Sequence, residues 1–105
     1  MKLLIMTAVK AFEENVKGIL ESNGITSYSY NKVIGYRDST LDAVATNWFA
    51  TEMNKNESLL FFAFVTPEAS ESVYESVEKL NEASDSVSKV HIAIAPIEKF
   101  NSSNK

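Results

Sequence analysis

The sequence predicts an α+β domain ordered strand–helix–strand–strand–helix–strand, with an antiparallel sheet and both helices on one of its faces. Three observations carry that reading. Leu59-Leu60-Phe61-Phe62-Ala63-Phe64-Val65 is an unbroken run of seven apolar residues, short for a helix and of the right length for a buried strand. A second apolar run, Leu3 to Val9, is followed by Phe12, Val16, Ile19 and Leu20, which share one face at helical spacing. The same succession of strand and helix returns over residues 58–83. Strand side chains alternate between two faces, so a strand that is apolar at every position is covered on both. The helices cover one face, and a second copy of the chain is the expected cover for the other.

Each element follows in order. Leu3–Val9 is apolar at nearly every position, which places the first strand in the middle of the sheet. The first helix is expected over Ala11–Ser22, with Glu13 and Glu14 in its opening turn, where the helix dipole favours negative charge. Asn23-Gly24 ends it, Gly24 being free to take the left-handed conformation. Ile25–Tyr36 reads as a long strand with Thr26, Tyr28, Tyr30 and Lys32 on one face. Ile25, Ser27, Ser29, Asn31 and Val33 share the other face, and the polar middle puts this strand toward an edge. The two tyrosines are expected at an interface between copies, their hydroxyls at its wet rim.

From Arg37 to Thr46 no apolar stripe is sustained, and a long loop, mobile without ligand, is expected. Trp48–Met53 reads as an extension of the central strand; the alternative sets Leu41, Val44, Ala45 and Trp48 on one helical face. Thr66-Pro67-Glu68 combines an N-cap, a proline suited to the first helical position and an acid that complements the dipole. Ala69, Val73, Val77 and Leu80 form the buried stripe of this second helix, which Ser84 to Ser86 ends. Val90, Ile92 and Ile94 then alternate with His91, Ala93 and Ala95 in a last strand closed by Pro96. The order is that of the split βαβ, or ferredoxin-like, plan. Residues 1–100 are expected as a single domain and residues 101–105 as a flexible C-terminal tail.

Composition narrows the function classes. A net charge of −4 and a pI near 4.9, with the ten basic residues scattered, leave no basic stripe for nucleic acid. There is no cysteine, so disulfides, thiolate chemistry and cysteine-bound zinc are excluded. No run approaches the eighteen or so apolar residues of a membrane span. The short apolar run after Lys2 is interrupted by Lys10 and lacks a cleavage site, so a cytoplasmic location is expected.

Catalytic constellations are not found. Gly18, Gly24 and Gly35 are too dispersed for a phosphate loop, and the single histidine, His91, reads as a residue of the sheet face. Asp38 and Asp42 read as solvated loop carboxylates, and Trp48-Phe49 as packing. No enzyme activity, cofactor or metal is assigned.

Lys32-Val33-Ile34-Gly35-Tyr36-Arg37 resembles the nitrogen-regulatory PII superfamily, whose second strand ends in a Val-x-Gly-aromatic segment before a long T-loop. Met1-Lys2-Leu3, Lys10-Ala11-Phe12, Val16, Leu20 and Gly24-Ile25 are also similar. The likeness extends in outline over residues 1–100 and is specific over the first 37. It implies a homotrimer with its sheets facing inward, a ligand cleft between adjacent subunits and loops that report occupancy to a protein partner. The ligand-binding positions it implies are Ser29, Gly35, Tyr36 and Arg37, with Lys89 as the remnant of the family's phosphate-binding segment.

The chain also departs from the family. Its T-loop is shortened and lacks the family glutamine; Asp85-Ser86-Val87-Ser88-Lys89 replaces the Gly- and Lys-rich segment; the C-terminal arginine clamp is missing. The expectation is a divergent PII-like trimeric signalling protein, not an enzyme, that binds a small effector such as an adenine nucleotide and acts through protein contact. The alternatives are a CutA-like metal-handling trimer and a small ferredoxin-fold enzyme.

Overall fold

The computed structural model describes residues 1–34, 57–85 and 88–101. Strand β1 (Lys2–Val9) runs through a short 3-10 turn at Lys10–Phe12 into helix α1 (Glu13–Ser22). Strands β2 (Ser29–Ile34) and β3 (Glu57–Val65) follow, then helix α2 (Pro67–Ala83) and strand β4 (His91–Pro96). The described strands form one sheet in the order β2-β3-β1-β4, antiparallel at every pairing. The α+β, ferredoxin-like plan is therefore the observed one, and the two strands that are apolar on both faces occupy its centre.

Register decides what each side chain meets. Leu4 pairs with Ala63, Met6 with Phe61 and Ala8 with Leu59, and all six are buried beneath the helices with Val16, Leu20, Val73 and Val77. Leu3 pairs with Phe64 and Ile5 with Phe62 on the opposite face, which carries neither of the two described helices. The expected cap of α2 is in place: Thr66 Oγ1 accepts the Ala69 N–H at 3.1 Å, and Pro67 opens the helix. Its buried stripe also takes in Ser70, whose hydroxyl donates to the Pro67 carbonyl at 2.7 Å and so enters the core satisfied. At the end of α1, Gly24 takes φ +80° and the Ile25 N–H returns to the Leu20 carbonyl at 3.0 Å.

Two expectations change. The second strand begins at Ser29 and not at Ile25, because Ile25 is held by the α1 cap and buried in the core before the ladder starts. The tyrosines also lie on the helix side, not on the bare face. Tyr30 pairs with Phe61, whose ring points to the helices, and the two rings stack at 5.0 Å. Lys17 of α1 sets its ammonium 4.6 Å from the Tyr30 ring centroid, an attractive position over the ring's negative face. The expectations for Arg37–Thr46, Trp48–Met53 and the helical alternative around Leu41, Val44 and Ala45 fall outside the described residues, as does most of the 101–105 tail.

Candidate functional site

The sheet face opposite the two described helices is an apolar surface that changes along its length. At one end Phe62 and Phe64 are 38% and 56% exposed, and Leu3 and Ile5 beside them are half-buried. At the other end Thr7 and Ser58 are closed off from solvent. Ala93 and Ala95 extend the face across β4, and Ser29, Asn31 and Val33 extend it across β2. Among the described residues no buried side-chain nitrogen or oxygen lacks a hydrogen-bond partner. The exposed apolar area of this surface lies at the Phe64 end.

Ser29 opens β2, exposed on this same face and opposite Phe62. Lys89 immediately precedes Val90 and β4. Because β2 and β4 are the two edges of the sheet, Ser29 and Lys89 stand on opposite sides of the molecule. Ser29 is level with Phe62, Ile5 and Ala93 across the ladder. Three strand spacings across, and about four residues along, put the Ser29 and Lys89 backbones roughly 20 Å apart. One copy of the chain does not bring them to one small ligand. Gly35, Tyr36 and Arg37 lie outside the described residues; Ile34, the last described residue before them, pairs with Glu57 at the end of the sheet where Lys89 lies.

Lys89 is already engaged. Its ammonium donates to the Asn81 carbonyl at 3.0 Å and to the Ser84 carbonyl at 3.2 Å, closing the C-terminus of α2, where the helix dipole favours a cation. Asn81 in turn grips Val90 with its side chain: Nδ2 donates to the Val90 carbonyl at 2.8 Å, and the Val90 N–H donates to Oδ1 at 2.9 Å. Nothing local to Asn81 in the sequence signals this grip, since its partner comes nine residues later and from across a turn.

Two open grooves flank the approach to β2. One, of about 390 Å³, is lined by Gly24, Thr26, Ser27, Phe64 and Thr66. The other, of about 580 Å³, lies between Glu21, Ile25, Tyr28 and Tyr30 on the helix side. The electrostatics nearby are those of a surface cluster. Glu13 accepts from Lys17 at 2.8 Å and from Lys10 at 3.3 Å, which lowers its pKa and raises that of Lys17 above the usual amine range. Burial lowers the pKa of His91 and holds its imidazole toward the neutral form. Among the described residues no group of three or more histidine, aspartate or glutamate side chains is arranged to hold a metal ion. No described helix is long and apolar enough to cross a membrane.

No protein-family model and no curated protein sequence matches the chain. Solved structures do match. A PII-like signalling protein from Thermus thermophilus aligns with a TM-score of 0.58 at 14% identity, over 89% of this chain and 82% of that one. CPII, a nitrogen-regulatory PII-like protein from Thiomonas intermedia bound to ADP, AMP and bicarbonate, aligns with a TM-score of 0.58 at 18% identity, over 91% of this chain and 92% of its own. The same protein bound to ADP, AMP and acetate gives a TM-score of 0.58 at 19% identity, with 91% and 88% covered. At such identities the likeness is one of fold, and the fold of this chain is PII-like.

Proposed function

We propose that this chain, with its PII-like fold, acts as a cytoplasmic homotrimeric regulator. It binds an adenine-nucleotide effector in clefts between subunits and passes the signal on by protein contact. The observation that carries this reading is the separation of Ser29 and Lys89 on opposite edges of one sheet. A site using both needs the β2 edge of one copy and the β4 edge of the next. The bare apolar face around Phe62 and Phe64 supports the same assembly, because packing it against other copies brings sheet edges together.

In this reading Ser29 comes from one subunit, while Gly35, Tyr36, Arg37 and Lys89 come from its neighbour. Arg37 and Lys89 meet the effector's anionic end, the guanidinium offering a planar fork for phosphate oxygens. The nucleotide class is supported by the ADP and AMP bound to the structurally similar CPII.

A thermal-shift panel of AMP, ADP, ATP and the cyclic forms tests the proposal, read beside light scattering. A ligand present at about a hundred times its dissociation constant stabilises the folded state by about 2.7 kcal/mol, a clear rise in melting temperature. A flat response across the whole panel rules out the nucleotide. A single-chain mass in light scattering at micromolar concentration rules out the cleft.

A further inference from the structure

We infer that Asn81 is a positioning residue for the effector's anionic end: it holds Lys89 as a fixed point charge at the start of β4. The inference rests on the effector reading above and adds to it a residue that touches no ligand. Asn81 sits in the last turn of α2 and makes contacts with both of its polar ends. Its side-chain amide clasps the Val90 backbone through two hydrogen bonds, 2.8 and 2.9 Å long, as a neighbouring strand would. Val90 itself is buried, so that clasp is anchored to the core. The Asn81 main-chain carbonyl accepts from the Lys89 ammonium at 3.0 Å, and the Ser84 carbonyl accepts a second bond at 3.2 Å.

A lysine ammonium has three N–H donors and a flexible four-carbon stem. On an open surface that stem makes a lysine a poor recogniser, because each contact must first overcome rotamer freedom. Here the backbone beside Lys89 is clamped and two of its donors are fixed. The third has no acceptor among the described residues and is left for a ligand oxygen. A phosphate arriving at this edge would meet a charge already in place, which is the advantage of a preorganised donor. Removing the Asn81 amide frees the backbone at Val90, so Lys89 loses the anchor of its own main chain although both carbonyl acceptors of its ammonium remain. Asn81 should therefore govern the affinity added by the phosphate and leave the affinity for base and sugar alone.

The experiment compares adenosine and AMP by calorimetry on the full-length wild type, Asn81→Ala and Lys89→Met. Wild type is expected to bind AMP about tenfold more tightly than adenosine, the order of one charge-assisted hydrogen bond. In Asn81→Ala that ratio should fall several-fold while adenosine affinity stays within about twofold, and Lys89→Met should bring it to near one. Adenosine and AMP weakening in parallel would mark Asn81 as merely structural and overturn the inference. So would a ratio that persists in either variant, or a wild-type ratio near one. If Asn81→Ala does not fold, Asn81→Gln decides, since it keeps the amide but its extra methylene misplaces the clasp on Val90, and a wild-type ratio there overturns the inference. A wild type that binds neither compound overturns the effector reading itself, and the inference with it. Binding whose ratio the variants leave unmoved overturns the inference alone.

Discussion

Gly24 adopts φ +80° at the end of α1, and a Cβ built there would meet nothing within 4 Å. The whole cost of Gly24→Ala is therefore the backbone strain of the left-handed region, roughly 1 kcal/mol. Chemical denaturation should show that loss, with a smaller one for Gly24→Asn, since asparagine tolerates this conformation better. His91 makes a second prediction at this scale. Burial lowers its pKa from the ordinary 6.5, so the unfolded chain binds the proton more readily than the folded one. The contribution is complete above pH 6.5 and is lost as pH falls through the lower folded value. Unfolding curves between pH 7.5 and 5 should show stability declining more steeply in wild type than in His91→Gln; parallel profiles would remove His91 as the cause.

At the scale of elements, α2 is set by its first turn. Thr66 satisfies the Ala69 N–H, and without that acceptor the donor has only water. Thr66→Ala should cost about 1 kcal/mol, within the range usual for a lost N-cap, visible as a lower denaturation midpoint at an unchanged slope. Edge strand β2 is held to the layer above it by Lys17, Tyr30 and Phe61 in succession. That stack explains how a strand with a polar outer face stays attached: one of its faces is packed by aromatic rings, and the cation from α1 lies on top. Its exposed ion pairs add little, because surface pairs are screened and entropically costly.

For the whole molecule, β3 carries apolar side chains on both of its faces, and the proposed assembly is tested there. Leu59, Phe61 and Ala63 meet the helices, whereas Phe62 and Phe64 point away from them and are exposed. Covering a phenylalanine or leucine contributes about 1.5–3 kcal/mol, so a few such residues rival the stability of a small domain. Phe64→Glu should leave the fold intact, as shown by an unchanged far-UV spectrum, and shift light scattering from the mass of the proposed trimer, threefold the 11.7 kDa of one chain, toward a single copy. Tyr30→Glu should do the reverse: it breaks the Phe61 stack and lowers the melting temperature while association persists. Association that survives Phe64→Glu and vanishes with Tyr30→Glu would mean that the helix side is the interface.

The sequence by itself determined the strand–helix order, the central places of β1 and β3, the Thr66 cap and the Gly24 stop. Each of these is written among neighbouring residues, as a period of two or of 3.6, a cap three residues ahead, or a residue without a Cβ where φ turns positive. Tertiary structure decided what depends on segments far apart in the chain. The alternation of Ile25–Ile34 separates Tyr30 from Ser29 but does not say which face meets the helices; the pairing of Tyr30 with Phe61 does. Nothing in the composition of Asp85–Lys89 reveals that the Lys89 ammonium closes α2, because its acceptors are backbone carbonyls that every residue carries. Nor is it legible in one dimension that Ser29 and Lys89 lie on opposite edges. Strand order is settled by which apolar faces fit together, and that fit, invisible along the chain, sets the two residues on different edges of one sheet.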